Sequence, residues 1–131
     1  MRINDITGRV IGAAIEVHRE LGPGLLESSY EASLEYELVH DGLCVQRQEP
    51  VPVVYKGIRL ECGYRMDLLV ERQVVVEIKA VDLINNIHKA QLLSYLKLSG
   101  LTVGLLINFN VEVLRSGVQR IVNRYQEKAL P

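Results

Sequence analysis

An acid and a base set inside one apolar run are the residues of this chain best placed to do chemistry. Val74-Val75-Val76-Glu77-Ile78-Lys79-Ala80 reads as a buried strand. Alternation along a strand points Glu77 and Lys79 to one face and Val76 and Ile78 to the other. Charges aimed together from such a run are costly unless something holds them. Asp67 lies ten positions before Glu77, across the three-residue turn Glu71-Arg72-Gln73. A hairpin there sets both carboxylates near each other on one sheet face. At about 4 Å they repel by roughly 4 kcal/mol for an effective dielectric of about 20, and a divalent cation between them reverses the sign. Hard oxygen ligands with open positions suit Mg²⁺ or Mn²⁺, and there is no Cys/His set for zinc. Lys79 could then orient an attacking water and offset charge growing on a phosphate. Spacing alone leaves an alternative open, a buried salt-bridge network pairing Asp67 with Arg65 and Glu77 with Lys79.

The elements that must position these groups can be read from periodicity. Ile6, Val10, Ala13, Ala14, Val17 and Leu21 recur at helical spacing, giving an amphipathic helix over about 5–21 that Gly22-Pro23-Gly24 stops. His18 falls at the edge of its apolar stripe, where a partly solvated histidine is expected. A second helix is expected from about Leu25 to His40, with Leu26, Tyr30, Leu34 and Leu38 as its ridge. Glu27 shares that side. It can complement the helix dipole, bind a metal directly or through water, or take a proton. From Leu43 to Val70 the pattern turns to short β-type runs, with Pro50 and Pro52 marking an edge or irregular entry. Val53–Tyr55 and Ile58–Leu60 flank a Lys56-Gly57 hairpin turn. The second arm is expected to continue to Val70, carrying Arg65 and Asp67 on one face, so that three antiparallel strands lie side by side.

A helix is expected over about 83–99, closed by Gly100. Ile84, His88, Gln91 and Tyr95 fall in one stripe bordered by Ile87, Leu98, Leu92 and Leu96, so that stripe faces inward and Asn86, Lys89 and Lys97 face solvent. Gln91 and Tyr95 can orient water or a phosphate oxygen, or be core-edge polar groups satisfied by backbone. Leu101 to Asn108 returns as a parallel strand. Val111–Leu114 and Val118–Val122 read as further β-type runs around Ser116-Gly117. Arg115, Arg120 and Arg124 add positive charge that fits a solvated face, and residues after Tyr125 read as a frayed tail.

The 131 residues, 48% hydrophobic and 24% charged, suit one globular domain over 1–131 with its own core. A net charge of −1 gives no global field for nucleic acid, so any phosphate-binding surface must be local. No apolar run is long enough to span a membrane and the first residues lack a signal-peptide pattern. Cys44 and Cys62 match no zinc spacing and are expected to be free and half-buried in a cytoplasmic protein.

The order of a helix with Glu27, strands with Asp67 and Glu77-Ile78-Lys79, then a helix with Gln91 and Tyr95, resembles the PD-(D/E)XK nuclease superfamily. Gly24-Leu25-Leu26-Glu27-Ser28-Ser29-Tyr30 matches the G-x-x-E-x-x-Y signature of a bacterial family within it, the GxxExxY proteins. The likeness runs from about Ile6 to Tyr125. It implies an α/β, restriction-endonuclease-like αβββαβ core, a central mixed sheet flanked by helices, with an extra N-terminal helix. It also implies a metal-dependent phosphodiesterase site. Asp67 and Glu77 take the metal-ligand role, Lys79 the catalytic lysine role, and Glu27, Gln91 and Tyr95 supporting roles. Met66 replaces the proline that usually precedes the first acid.

Two function classes follow. One is a Mg²⁺- or Mn²⁺-dependent nuclease acting on DNA ahead of RNA. The other is a catalytically inactive module of the same fold that uses Arg65, Lys89, Arg115 and Arg120 on nucleic acid or a protein partner. A small domain of this kind often needs a second copy or a larger partner for grip, and exposed sheet edges suit a homodimer. A nucleotide hydrolase is a third option, without support from any Gly-rich phosphate loop.

Overall fold

A computed structural model describes residues 1–123; Arg124 and the tail expected over 126–131 lie outside the described residues. Helix α1 (Ile3–Leu21) buries Ile6, Val10, Ala14 and Val17, one stripe at 3.6-residue spacing. Gly22, at φ 67°, turns its N–H onto the His18 carbonyl and ends the helix. Helix α2 (Glu27–His40) packs beside it and buries Tyr30, Glu31, Leu34 and Leu38. It begins two residues later than expected. Leu26 is the extended residue before it and is exposed, so it is not part of the ridge.

Strands β1 (Val45–Pro50), β4 (Arg65–Val70), β5 (Val74–Lys79), β6 (Val103–Asn108) and β7 (Val118–Val122) form one five-stranded sheet in the order β1-β4-β5-β6-β7. Only β5 and β6 are parallel, joined through helix α3 (Asn86–Ser99). The order α2-β1-β4-β5-α3-β6 is the expected αβββαβ core, with α1 as the extra helix and the mixed sheet flanked by helices. The identity of its first strand differs from the expectation. β2 (Val53–Tyr55) and β3 (Ile58–Leu60) pair only with each other, as a separate two-stranded hairpin. The break at residues 61–64 frees β4 to pair with β1 instead.

Side-chain alternation divides the core. Val74, Val76 and Ile78 of β5 and Leu105 and Ile107 of β6 pack toward α1 and α2. Val75 and Leu106 point to the other face, where Leu92, Tyr95 and Leu96 of α3 cover them. Burial on both faces explains why β5 and β6 read as continuous apolar runs. Gly104 lets α3 approach closely, since a Cβ there would lie 2.8 Å from a Leu92 methyl.

Other local expectations are corrected by contacts from distant segments. His18 is buried because its Nε2 meets the Val111 carbonyl at 2.7 Å. Val111–Val113 is a loop followed by a 3₁₀ turn over Leu114–Gly117, not a strand. Residues 83–85 precede α3, and Ile87 is exposed rather than facing inward. His88 joins Asn85 in a reciprocal cap of that helix. Lys89 is half-buried rather than fully on the solvent side. Cys44 and Cys62 are both free and exposed. Among the described residues no helix is long and apolar enough to cross a membrane.

Two glycines test this packing with opposite signs. A Cβ at Gly117 would collide with the Asn108 carbonyl, whereas one at Gly8 within α1 meets nothing within 4 Å. Gly117→Ala is expected to destabilise by about 2 kcal/mol, and Gly8→Ala to stabilise by roughly 0.5–1 kcal/mol. Urea denaturation measures both; a neutral Gly117→Ala or a destabilising Gly8→Ala would contradict the packing.

Candidate active site

The β4–β5 ladder runs through Val70↔Val74, Leu69↔Val75 and Leu68↔Val76 and then stops. The next pair in that register would be Asp67 and Glu77. Here the carboxylates take over from the ladder. The Asp67 N–H donates to Glu77 Oε2 at 2.8 Å, and the Ile78 N–H donates to Asp67 Oδ2 at 2.8 Å. Each acid therefore has one oxygen fixed by the opposite strand. Asp67 Oδ1 and Glu77 Oε1 make no hydrogen bond to the described residues and are not sealed from solvent.

On the other side of Asp67 the β1–β4 ladder is also interrupted. Arg47↔Leu68 and Glu49↔Met66 are paired, but Gln48, which would face Asp67, is not. Gln48 sits at φ 57°, a left-handed conformation unusual for a residue with a Cβ. Its carbonyl accepts Arg65 Nη1 at 3.3 Å, and its side-chain amide donates to both oxygens of Glu31 at 2.9 and 3.0 Å. Arg47 Nε donates to Glu31 Oε2 at 2.6 Å and its Nη1 lies 3.6 Å from Glu35. Glu31, Arg47 and Gln48 were not anticipated. The available signal was Glu31 itself, four residues after Glu27 and next to Tyr30 on a buried helix face.

The G-x-x-E-x-x-Y stretch is explained by its contacts. Gly24 holds φ 100°, which only glycine adopts readily. Tyr30, fully buried and stacked on Phe109 at 4.5 Å, donates its hydroxyl to the Gly22 carbonyl at 2.6 Å and accepts the Leu25 N–H at 3.1 Å. The tyrosine thus pins the loop that delivers Glu27. Glu27 is exposed at the rim, its Oε2 accepting the Ala80 N–H at 3.1 Å. At the same end Asn108, beside Lys79 in the parallel register, clasps Val81 through both N–H and carbonyl. The chain leaving Lys79 is therefore held firmly.

From the α3 face Tyr95 approaches the acids, its ring 6.2 Å from that of Tyr64. Gln91 is half-buried and makes no hydrogen bond to the described residues. Lys79 is half-buried and forms no ion pair among them, and Arg65 is directed to Gln48. The salt-bridge network of Asp67 with Arg65 and Glu77 with Lys79 is therefore not formed. Of the distant basic residues, Lys89 lies on α3 and Arg115 is exposed on the 3₁₀ turn. Arg120 reaches α1, donating to Asn4 Oδ1 at 2.9 Å and Thr7 Oγ1 at 3.4 Å.

The electrostatics follow from burial with incomplete compensation. Burial pushes Glu77, 4% exposed, up to about 8, aided by the Asp67 charge and opposed by the Asp67 N–H and Lys79. Burial raises Asp67 to about 6; the Ile78 N–H and Lys79 pull it back, and Glu31 and Glu27 push it up. Tyr95 is pushed up to about 12 by burial and then by Glu77, Asp67 and Tyr64. Groups perturbed this way in one place make this cleft the candidate site.

The donor set fits a small hard cation. Two carboxylates with one free oxygen each match Mg²⁺ or Mn²⁺, which keep several waters and share substrate phosphates. Among the described residues no three His, Cys, Asp or Glu side chains gather to hold an ion by themselves. Asp67, Glu77 and Glu27 thus do not form a direct three-acid cage, and Glu27 remains at the rim.

A family model described as the PD-(D/E)XK nuclease superfamily matches residues 4–121. Searches of curated proteins and of solved structures returned no match.

Both folded carboxyls lie above their unfolded values, so the folded state keeps protons that the unfolded chain has released. Their contribution to stability is complete below the unfolded values, 3.8 and 4.5, and is lost as pH rises through about 6 and about 8. The metal-free protein should therefore lose stability between about pH 4 and pH 8, by at most about 1.4 kcal/mol per pH unit per proton. Glu77→Gln should flatten that profile in thermal melts; an unchanged slope would contradict the burial argument. Tyr30→Phe should cost about 1–2 kcal/mol in urea denaturation, because the Gly22 carbonyl and Leu25 N–H lose their partner.

Proposed function

This chain belongs to the PD-(D/E)XK nuclease superfamily, and from that premise we propose that it is a metal-dependent phosphodiesterase, with DNA as substrate. The observation that carries this reading is the acid pair across the β4–β5 gap, each carboxyl pre-oriented by a backbone N–H and each with one oxygen open. Gly24, Glu27 and Tyr30 support placing it with the GxxExxY proteins.

Asp67 and Glu77 would hold Mg²⁺ or Mn²⁺. A bound ion would supply positive charge to a phosphate oxygen and make a water easier to deprotonate. Lys79, on the Glu77 face and without a competing ion pair among the described residues, offsets charge growing on the phosphate and orients the attacking water. Tyr95 stays protonated at every working pH, so it acts as a hydrogen-bond donor and not as a base. Gln91, whose amide makes no hydrogen bond to the described residues, can align water or a phosphate oxygen. Glu27 is placed to accept a proton at the rim or to contact the ion through water.

The inactive-module alternative has less support. Two of the four side chains it needs, Arg65 and Arg120, are engaged within the protein, leaving Lys89 and Arg115. Exposed, unpaired Cys44 and Cys62 suit a reducing cytoplasm.

Purified protein is expected to cut DNA with Mn²⁺ or Mg²⁺ and not with EDTA. Asp67→Asn, Glu77→Gln and Lys79→Met should each lower kcat by about a hundredfold or more while circular dichroism shows the fold intact. Cleavage that survives all three changes, or that never appears with either metal, would remove this reading.

A further inference from the structure

The main sheet leaves one element unexplained. β1 and β4 pair with each other, yet residues 51–64 leave between them to form the β2–β3 hairpin. Its turn, Lys56-Gly57, has φ values of 50° and 79°. Two positive φ values at the central residues are those of the turn whose twist matches a right-twisted ribbon. Cross-strand pairs Tyr55↔Ile58 and Val53↔Leu60 share one face of the ribbon. Tyr55 is 58% and Ile58 61% exposed, and Leu60 is also exposed. A lone two-stranded hairpin with an open apolar face is marginal in water, so a function must account for it.

Its root is continuous with the acid pair. Val51 is buried against the α3-side core and donates its N–H to the Tyr64 carbonyl at 2.8 Å, closing the base of the hairpin. Tyr64 leans on Tyr95, the ring whose hydroxyl feels Glu77 and Asp67. The strand carrying Asp67 starts directly after it. Residues 51–65 hold three basic side chains, Lys56, Arg59 and Arg65, against the single acid Glu61, in a chain of net charge −1. The Lys56 ammonium lies 5.4 Å from the Tyr55 ring, so cation and aromatic share the tip. The Arg59–Glu61 pair is exposed on both sides and holds weakly.

We infer that this hairpin is an arm that enters the groove of a DNA duplex beside the scissile phosphate. The inference rests on the nuclease reading for its register with the acids. The major groove of B-DNA admits a two-stranded ribbon, and its thymine methyls accept apolar contacts such as Tyr55 and Ile58 offer. Lys56 and Arg59 then meet the flanking phosphates. Duplex RNA does not admit the ribbon, because its major groove is deep and narrow. A second copy fits the surface less well: a two-fold contact sets the basic tip against its own image.

The test is fluorescence anisotropy of a labelled DNA duplex with the full chain in EDTA, where no hydrolysis is required. Lys56→Asp reverses the tip charge and keeps a residue that this turn favours, so the fold is retained. Ile58→Thr removes the apolar contact and keeps strand propensity. Each change should weaken duplex binding about tenfold, and Lys56→Asn should reduce the salt slope by about one. The wild-type chain should bind an RNA duplex of the same sequence more weakly than the DNA. Equal DNA binding by all variants, or equal binding of the RNA duplex, would overturn the inference. So would a wild-type dimer, seen by sedimentation, that Ile58→Thr dissociates. Hydrolysis of a small activated diester, and its loss in Glu77→Gln, tests the acid pair separately. If that fails while the hairpin variants still weaken DNA binding, the arm stands and the hydrolase reading falls.

Discussion

The structure depends on an antiparallel ladder that stops where two carboxylates face each other, three pairs before its strands end. A β-sheet normally satisfies its N–H and C=O groups by strand-to-strand bonds. Between β4 and β5 the Asp67 and Ile78 N–H groups bond instead to Glu77 and Asp67 side chains. The substitution solves a local hydrogen-bonding problem and creates an electrostatic one. Two carboxylates are brought together where water is mostly excluded, and Lys79 and two backbone N–H groups offset them only in part. A metal-free pair answers by holding protons, and a divalent ion would answer by replacing them.

The remaining elements keep that gap open without letting it collapse. The left-handed Gln48 and the Glu31–Arg47 contact secure β1 where it loses its pairing with Asp67. Tyr30 pins the loop before Glu27, and Asn108 clasps the chain after Lys79. Tyr95 closes the site from α3. These side chains come from both faces of the sheet and are anchored mainly on backbone or on other buried groups, so the acids are held by regular elements and not by mobile loops.

What was legible in the sequence was what is local. Helical stripes gave α1 and α2 to within about two residues, and the turn Glu71-Arg72-Gln73 set Asp67 opposite Glu77. The Lys56-Gly57 hairpin was visible because its turn chemistry is contained in two residues. What was hidden depends on partners far along the chain. Nothing near β3 announces that it stops short of β4, or that Val45–Pro50 takes the place beside Asp67. His18 read as an edge residue because the Val111 carbonyl that buries it belongs to a distant loop. Gln48 carries no sign of a positive φ, since its type does not favour one. The acid pair could be found from spacing, but the choice between a salt-bridge network and an open site could not. It turned on Arg65, which donates to the Gln48 carbonyl, and on Lys79, which forms no ion pair among the described residues.

Most of the structure turns on whether Asp67 and Glu77 together bind a doubly charged ion. The most direct measurement is a crystal structure grown with Mn²⁺ and read by anomalous scattering. A peak is expected between Asp67 Oδ1 and Glu77 Oε1, the two oxygens that the backbone of the described residues does not engage. A map with no peak there at saturating Mn²⁺, and both carboxyls still closed on their N–H partners, would contradict it.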